Sequence, residues 1–234
     1  MKNKKVIITL IVLLVIVIIA LTVFFIGLLN HNFKLSSFVF KSKVSEELVF
    51  NETYELDFNE VRIETDASNI EIKQTTDENI QLMIYGKEEN MVVDTKNDIL
   101  KIKLAAKKCI GFCFNKEISK VELYLPINYD KKITIDSSYG DINIDEFLNA
   151  NMYIKEECGD VSVIGGNIVN VENNYGDITI EKANIATIEE DCGDIKIGTI
   201  NEIKAKNSYG DIKINTINHS LDLENDCGDI KVKN

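Results

Sequence analysis

The sequence predicts an all-β protein, a single-chain β-solenoid of short parallel strands preceded by one N-terminal transmembrane helix. A Gly-Asp pair recurs six times in the second half of the chain, at intervals of 17 to 19 residues. Alternating apolar and polar residues, the pattern of half-buried strands, surround each pair. Residues 6–29 form an apolar segment without a charged side chain.

The first element is this apolar segment, which is 24 residues long. At ~1.5 Å per residue, a helix of this length spans the ~30 Å hydrocarbon core of a bilayer. Three lysines precede the segment, whereas the lysines between residues 30 and 45 are followed by Glu46 and Glu47. The positive-inside rule therefore predicts an uncleaved signal anchor, with a cytoplasmic N-terminus and an extracytoplasmic C-terminal part.

The rest of the chain divides by the regularity of its strand patterns. We predict a cytoplasmic tip and anchor at 1–30, a juxtamembrane stalk at 31–60 and the solenoid at 61–234. Strands are irregular over 61–130 and regular over 131–234, and the earlier strands are expected to continue the same stack. The stalk run "ELVFNETYELDF" could add an edge strand.

Each regular repeat contains two strand patterns separated by a corner. In Gly-Asp-Ile-x-Ile, the alternate apolar residues are β-branched and the residues between them are polar. The inward residues Ile135 and Ile142 are seven apart, so the alternation must reset between them, and glycine supplies the corner. A repeat of ~17 residues cannot bury its own apolar face, but stacking at ~4.8 Å per rung does so. The predicted structural corners are Tyr139, Gly140, Cys158, Gly159, Tyr175, Gly176, Cys192, Gly193, Tyr209, Gly210, Cys227 and Gly228.

The stretch "KVELYLPINYDKKITIDSSYGDINI" and the (S/N)-x-G-D-(I/V)-x-(I/V) units after it resemble the bacterial putative-adhesin family, a domain of unknown function of the Gly-Asp repeat type. The resemblance covers roughly residues 61–234. It implies a β-solenoid, often membrane-anchored, without an established activity. Family members usually carry Ser-Gly-Asp at the corner, where this chain has Tyr-Gly-Asp or Cys-Gly-Asp, so no role of that serine is transferred.

Stacked repeats place the six aspartates in a column, which suggests two roles. Carboxylates stacked at turns are calcium ligands; alternatively, each aspartate caps its own corner through backbone N–H groups, with nearby lysines screening the charge. Calcium-binding repeats are shorter and richer in glycine, which favours the cap. The candidate calcium column consists of Asp141, Asp160, Asp177, Asp194, Asp211 and Asp229.

The composition argues against catalysis. The chain has two histidines, which disfavours His-based catalysis or a His-rich metal site. A glycan-cleaving solenoid would need a clustered pair or trio of carboxylates, whereas these acids recur evenly along the stack. We predict that the protein is not an enzyme and has no cofactor.

Tyrosine and cysteine alternate at the corner, and two arrangements fit. If one repeat forms one rung, Tyr139 stacks on Cys158; if two repeats form one rung, it stacks on Tyr175. Like-on-like ladders and the matched flanking residues favour the second arrangement, and the short repeat favours the first. In both, cysteine acts as a small corner hydrophobe rather than a metal ligand, because no His or second Cys repeats beside it.

The segment "KKCIGFCFNK" (107–116) interrupts the strands as a protruding loop. Cys109 and Cys113 are predicted to form a disulfide outside the cell. The apolar side chains between lysines make the loop a candidate contact point for a partner or a bilayer surface. Alternatively, they cover one end of the solenoid. The candidate interaction tip consists of Ile110, Phe112 and Phe114.

The net charge of −12 makes nucleic acid and anionic lipid headgroups poor partners. The sequence thus predicts a single-pass, membrane-anchored scaffold for adhesion or protein–protein interaction at the bacterial cell envelope. Its partner would be an envelope protein or surface ligand. The alternatives are an accessory or sensor component of envelope-stress signalling, which the resemblance allows, and a carbohydrate-active β-helix. The last strand leaves an open edge, for which two outcomes are open: Lys231 and Lys233 protect it from pairing, or it pairs with another chain in edge-to-edge self-association.

Overall fold

The structure, a computed structural model, describes residues 43–86, 91–105 and 117–233, where its regular elements are strands. These ranges contain no helix long and apolar enough to cross a membrane. The strands are β1 (Lys43–Val44), β2 (Leu48–Tyr54), β3 (Glu60–Thr65), β4 (Ser68–Thr75), β5 (Ile80–Tyr85), β6 (Met91–Lys96), β7 (Ile99–Leu104), β8 (Glu117–Pro126), β9 (Lys132–Ser137), β10 (Ile142–Cys158), β11 (Val161–Tyr175), β12 (Ile178–Cys192), β13 (Ile195–Tyr209), β14 (Ile212–Cys227) and β15 (Ile230–Val232).

Several predicted features lie outside the described residues. They are the transmembrane helix at 6–29, the first part of the stalk, and the loop at 107–116 with its predicted disulfide, Cys109–Cys113, and its apolar tip.

The chain forms a β-solenoid of two stacks of parallel strands that share one hydrophobic core. The long strands β10 to β14 each bend in the middle and contribute to both stacks. For example, β11 pairs with β12 over 161–163 in the first stack and over 168–173 in the second. Successive repeats pair residue for residue, and β9 to β15 make about six turns.

The core consists of the inward positions that the alternation predicts. Ile178, Ile180 and Ile188 expose no surface, because rungs on both sides cover them. The last rung differs: Ile230 and Leu221 are each 45% exposed. In the described part of the chain β15 pairs with β14 alone, and the second half of β14, which contains Leu221, pairs with β13 alone, so both inward positions are covered on one side only.

Two rungs precede the regular repeats, but they do not follow chain order. The β3–β4 rung lies beside β9 and β10, and the β7–β8 rung lies beyond it. Beyond these, β2 pairs with β5, β5 with β8 and β6 with β7, all antiparallel. The prediction of parallel strands was therefore wrong for this end. At β6–β7 the reason is a two-residue hairpin turn, Asn97-Asp98, with φ values of 56° and 58°.

Part of the segment predicted as a stalk belongs to this sheet. β1 pairs with β8, and β2 pairs with β5 as the last strand of the sheet order. The run "ELVFNETYELDF" thus contains an edge strand.

The corners require glycine because neighbouring rungs approach closely there. Gly176 has φ +136°, which favours glycine, and a Cβ atom on it would overlap the carbonyl oxygen of Gly159. A Cβ on Gly193 would overlap the carbonyl oxygen of Gly176 in the same way. The inward alternation continues to Asn173, which is buried, and breaks at Tyr175, which is exposed.

Candidate functional site

Tyrosine and cysteine share a single corner of the solenoid. Cys158 pairs with Tyr175, Tyr175 with Cys192, Cys192 with Tyr209, and Tyr209 with Cys227. One repeat therefore forms one rung, which decides between the two arrangements that the sequence left open: Tyr stacks on Cys. The physical reason is that one repeat supplies a segment to each stack and closes a full turn. We call Tyr139, Cys158, Tyr175, Cys192, Tyr209 and Cys227 the corner column.

The tyrosines of the corner column protrude, and the cysteines between them are smaller. Tyr139, Tyr175 and Tyr209 are 51%, 59% and 61% exposed. At ~4.8 Å per strand, successive tyrosines lie about 9.6 Å apart along the solenoid axis. Cys158 and Cys192 are half-buried free thiols with the same two-rung separation, which exceeds the Cα distance that a disulfide bridges.

Five of the six Gly-Asp aspartates, all except Asp229, cap the corner of the next rung. Asp160 Oδ1 accepts a hydrogen bond from the backbone N–H of Asp177 at 2.8 Å, and Asn69 Oδ1 accepts one from Asp141 at 3.2 Å. The prediction that each aspartate caps its own corner was therefore wrong, because the side chain reaches across one strand spacing to the neighbouring N–H. The same bond joins Asp141 to Asp160, Asp177 to Asp194, Asp194 to Asp211 and Asp211 to Asp229.

Lysines screen the C-terminal half of the aspartate column. Lys196 Nζ lies 2.6 Å from Asp177 Oδ2, and Lys213 Nζ lies 2.9 Å from Asp211 Oδ2. The hydrogen bonds from Lys196 and from the backbone of Asp194 lower the pKa of Asp177. A backbone N–H from the next rung and the Lys213 ammonium lower the pKa of Asp211. The first three repeats carry uncharged residues at the lysine position: Asn143, Ser162 and Thr179.

The calcium interpretation finds no ligand cluster in the described ranges. No three or more His, Cys, Asp or Glu side chains there could hold a metal ion together. One oxygen of each interior aspartate is already engaged with a backbone N–H. The column acts as a capping ladder that links successive corners.

A row of buried polar side chains runs inside the same corner, two residues before each Tyr or Cys. Glu156 Oε1 accepts from the Cys158 N–H at 3.1 Å, and Glu190 Oε1 accepts from the Cys192 N–H at 3.0 Å. In the rungs of Tyr175, Tyr209 and Cys227, asparagine donates to glycine carbonyls, as Asn207 Nδ2 does to Gly193 at 3.0 Å. We call Ser137, Glu156, Asn173, Glu190, Asn207 and Asn225 the polar file.

Burial raises the pKa of both glutamates in the polar file. The pKa of Glu156 lies above its usual range, and that of Glu190 is raised to about 7. The second oxygen of each glutamate, like the Oδ1 atoms of Asn173 and Asn207, is buried without a hydrogen-bond partner among the described residues. All four orphaned atoms are acceptors. Protonation gives the Glu190 carboxyl a donor hydrogen, which the ionised form lacks.

A ladder of asparagines stabilises the bend between the two stacks. Asn184 Nδ2 donates to Asn167 Oδ1 at 3.3 Å, and Asn201 Nδ2 donates to Asn184 Oδ1 at 2.8 Å. Amide ladders of this kind are typical of in-register parallel stacks. Its members are Asn151, Asn167, Asn184, Asn201 and Asn218.

Sequence reasoning missed both the asparagine ladder and the polar file. The ladder has a signal, since its asparagines recur at intervals of 16 and 17 residues. The polar file has a weaker sequence signal. Each of its positions is polar, but only an alternation extended beyond the predicted strand end would have shown that these side chains face inward.

The fold and its corners define a class of protein, a β-solenoid repeat protein whose polar ladders stabilise the stack. The chain belongs to the Toastrack DUF4097 family, whose sequence profile matches residues 58–234.

Solved structures match the chain to different degrees. A crystal structure named as a putative adhesin from Bacteroides fragilis is 22% identical, with a TM-score of 0.55, and covers 81% of this chain and 99% of its own. A putative cell adhesion protein from Clostridium sporogenes is 12% identical, with a TM-score of 0.44, over 79% and 98%. A putative lipid binding protein from Parabacteroides distasonis is 13% identical, with a TM-score of 0.40, over 82% and 99%. A search of curated proteins found no match.

Proposed function

We propose that the protein is a membrane-anchored, extracytoplasmic β-solenoid scaffold for adhesion or protein–protein interaction at the bacterial cell envelope. The observation that carries the proposal is the corner column, where three half-exposed tyrosines stand at regular intervals on an in-register stack. Tyrosine is enriched at protein interfaces because its ring provides large contact area at low cost in conformational entropy. The Bacteroides fragilis structure is named as a putative adhesin, which supports an adhesion role.

A non-enzymatic role is part of the proposal. The repeated carboxylates cap neighbouring rungs or pair with lysines, which gives each of them a structural role. Incubation with purified cell-wall glycans should release no new reducing ends. Release by the wild-type chain would contradict this part and would favour a carbohydrate-active β-helix.

The anchor and its orientation rest on the apolar segment and its preceding lysines. The test uses the full chain with an epitope tag at each end, expressed in bacterial cells. Protease added to intact spheroplasts should remove the C-terminal tag and spare the N-terminal one. Protection of the C-terminal tag until lysis would contradict the proposed location.

The interaction role is tested by cross-linking capture from native envelope membranes. The full chain is the bait, and residues 1–43 alone form the matched control, which carries the apolar segment without the solenoid. A surface protein or ligand enriched at least tenfold by the full chain supports the proposal. Equal capture by both baits would contradict it.

A further inference from the structure

The corner column has the shape of a comb. Each tyrosine rung projects a ring into solvent, and each cysteine rung between two tyrosines carries only a small side chain. The rings of Tyr175 and Tyr209 belong to residues about 9.6 Å apart, two strand spacings. Tyr139 continues the row one interval earlier, because the Gly140 N–H bonds to the Cys158 carbonyl at 3.1 Å and so places its rung next to that of Cys158.

An acidic residue precedes the cysteine of each cysteine rung, including the Cys227 rung beyond the last tyrosine. The column next to the corner column is set by the same register, since Glu156 pairs with Asn173 while Cys158 pairs with Tyr175. In the cysteine rungs this neighbouring position is acidic and exposed, and in the tyrosine rungs it is uncharged. The acidic members are Glu157, Asp191 and Asp226, and the uncharged members are Ser138, Asn174 and Ser208.

The period of the comb matches one type of extended chain. A polyproline II helix has three residues per turn and rises ~3.1 Å per residue, so each turn advances about 9.3 Å. The tyrosine interval of about 9.6 Å differs from this by only ~0.3 Å. Proline-rich segments in this conformation dock on aromatic rings, and they lose little entropy because the helix is preformed.

We propose that the corner column binds a basic, proline-rich segment in the polyproline II conformation, with one turn per tyrosine. Its prolines pack against Tyr139, Tyr175 and Tyr209. A Lys or Arg at every third position pairs with the carboxylates of Glu157, Asp191 and Asp226. This inference rests on the proposed interaction role and names the class of partner.

Charge distinguishes this partner from other occupants of the same surface. A second copy of the chain would place one acidic column against another, on a protein whose net charge is −12. A neutral glycan could stack on the rings, but it would leave the carboxylates beside the gaps without a cationic partner. A basic proline-rich segment contacts both the tyrosine rings and the carboxylates.

The test measures the affinity of the full-length chain, in detergent micelles, for a fluorescent (Pro-Pro-Lys)6 peptide by anisotropy. Replacing all three tyrosines with serine should raise Kd at least tenfold. The triple variant Glu157→Gln, Asp191→Asn, Asp226→Asn should raise Kd similarly and flatten its salt dependence. Tyr153→Ser and Glu172→Gln, two exposed residues outside the corner column and its acidic neighbours, are the matched controls and should leave Kd unchanged.

Three further ligands separate the contributions of charge, preformed helix and ring stacking to the affinity. (Gly-Ser-Lys)6 has the same charge without the preformed helix and should bind at least tenfold more weakly, while (Pro-Pro-Glu)6 should not bind. Equal affinity for (Gly-Ser-Lys)6, or tyrosine variants that bind normally, would overturn the inference. So would tyrosine-dependent binding of a chitin hexamer in place of (Pro-Pro-Lys)6, which would assign the comb to a glycan.

Failure of this inference can be told apart from failure of the interaction role. If the tyrosine variant captures the same envelope partner as the wild-type chain while neither binds (Pro-Pro-Lys)6, the interaction role stands and the corner column is not its site. Thermal unfolding of each variant, unchanged relative to the wild type, shows that a loss of binding is not a loss of fold.

Discussion

The aspartate of each Gly-Asp pair contributes to the stack through one hydrogen bond to the next rung. Asp194 accepts from the backbone N–H of Asp211 at 3.0 Å and lies 3.7 Å from each of two lysines. An asparagine can make the same bond, as Asn69 does at the first corner. The role of the side chain is therefore that of an acceptor, and its charge is secondary.

Asp194→Ala should lower stability by about 1 kcal/mol, because it leaves the N–H of Asp211 without its acceptor. Asp194→Asn keeps the acceptor and should lose less than half of that amount. The measurement is urea unfolding followed by circular dichroism. Equal loss in both variants would show that the charge, and not the cap, provides the stabilisation.

The pKa of Glu190 makes stability depend on pH. Burial raises it from 4.5 in the unfolded chain to about 7 in the folded chain. Between these values the folded state holds a proton that the unfolded state has lost, so stability falls as pH rises from about 4.5 to about 7 and then levels off. This residue's contribution to the fall should be on the order of 3 kcal/mol.

Glu190→Gln should remove this part of the pH dependence and make the chain more stable than the wild type at pH 8. Glutamine keeps the shape of the protonated side chain and supplies a permanent donor to the polar file. The exposed neighbour variant Glu189→Gln is the control and should follow the wild-type curve. Thermal unfolding between pH 5 and pH 8 gives the comparison, and an unchanged slope in Glu190→Gln would refute protonation of Glu190.

At the scale of the element, the rung is the unit of stability. Interior rungs bury their apolar residues from both sides, whereas the last rung is covered on one side only in the described part of the chain. Ile195, which exposes no surface, and Ile230, which is 45% exposed, occupy the same place in their repeats. They make a matched pair for measuring what stacking contributes.

Ile195→Ala should lower the free energy of unfolding by about 2–4 kcal/mol, because it leaves a cavity between two rungs. Ile230→Ala should lower it by less than about 1 kcal/mol, since much of its side chain is already in water. Urea unfolding of the two variants provides the test. Similar losses would mean that a further rung or another chain covers Ile230 in solution, as edge-to-edge self-association predicts.

The sequence was most informative where a single strand pattern repeats. The alternation in Gly-Asp-Ile-x-Ile located the first-stack strands and their inward residues, because a side chain's direction follows directly from strand period. It could not order the early rungs, since β3, β7 and β9 have similar local patterns and only tertiary pairing places β3 between the other two. Nor could it settle the corner, because Tyr on Cys and Tyr on Tyr require the same local sequence.

At the scale of the whole molecule, the one-repeat rung produces the surface on which the proposed interaction depends. If two repeats formed one rung, tyrosines would stack directly on one another along one edge, at one strand spacing, and the gaps beside the acidic residues would disappear. The corner column, its comb shape and its match to a polyproline II helix all follow from the register between Cys158 and Tyr175.

The most direct test of this register uses the protein's own cysteines. In a variant with Cys109, Cys113 and Cys192 replaced by serine, spin labels are attached to Cys158 and Cys227, and their separation is measured by electron paramagnetic resonance. With one repeat per rung these residues lie four rungs apart, so the distance distribution should centre near ~19 Å. A distribution centred near ~10 Å would show two repeats per rung and contradict the account.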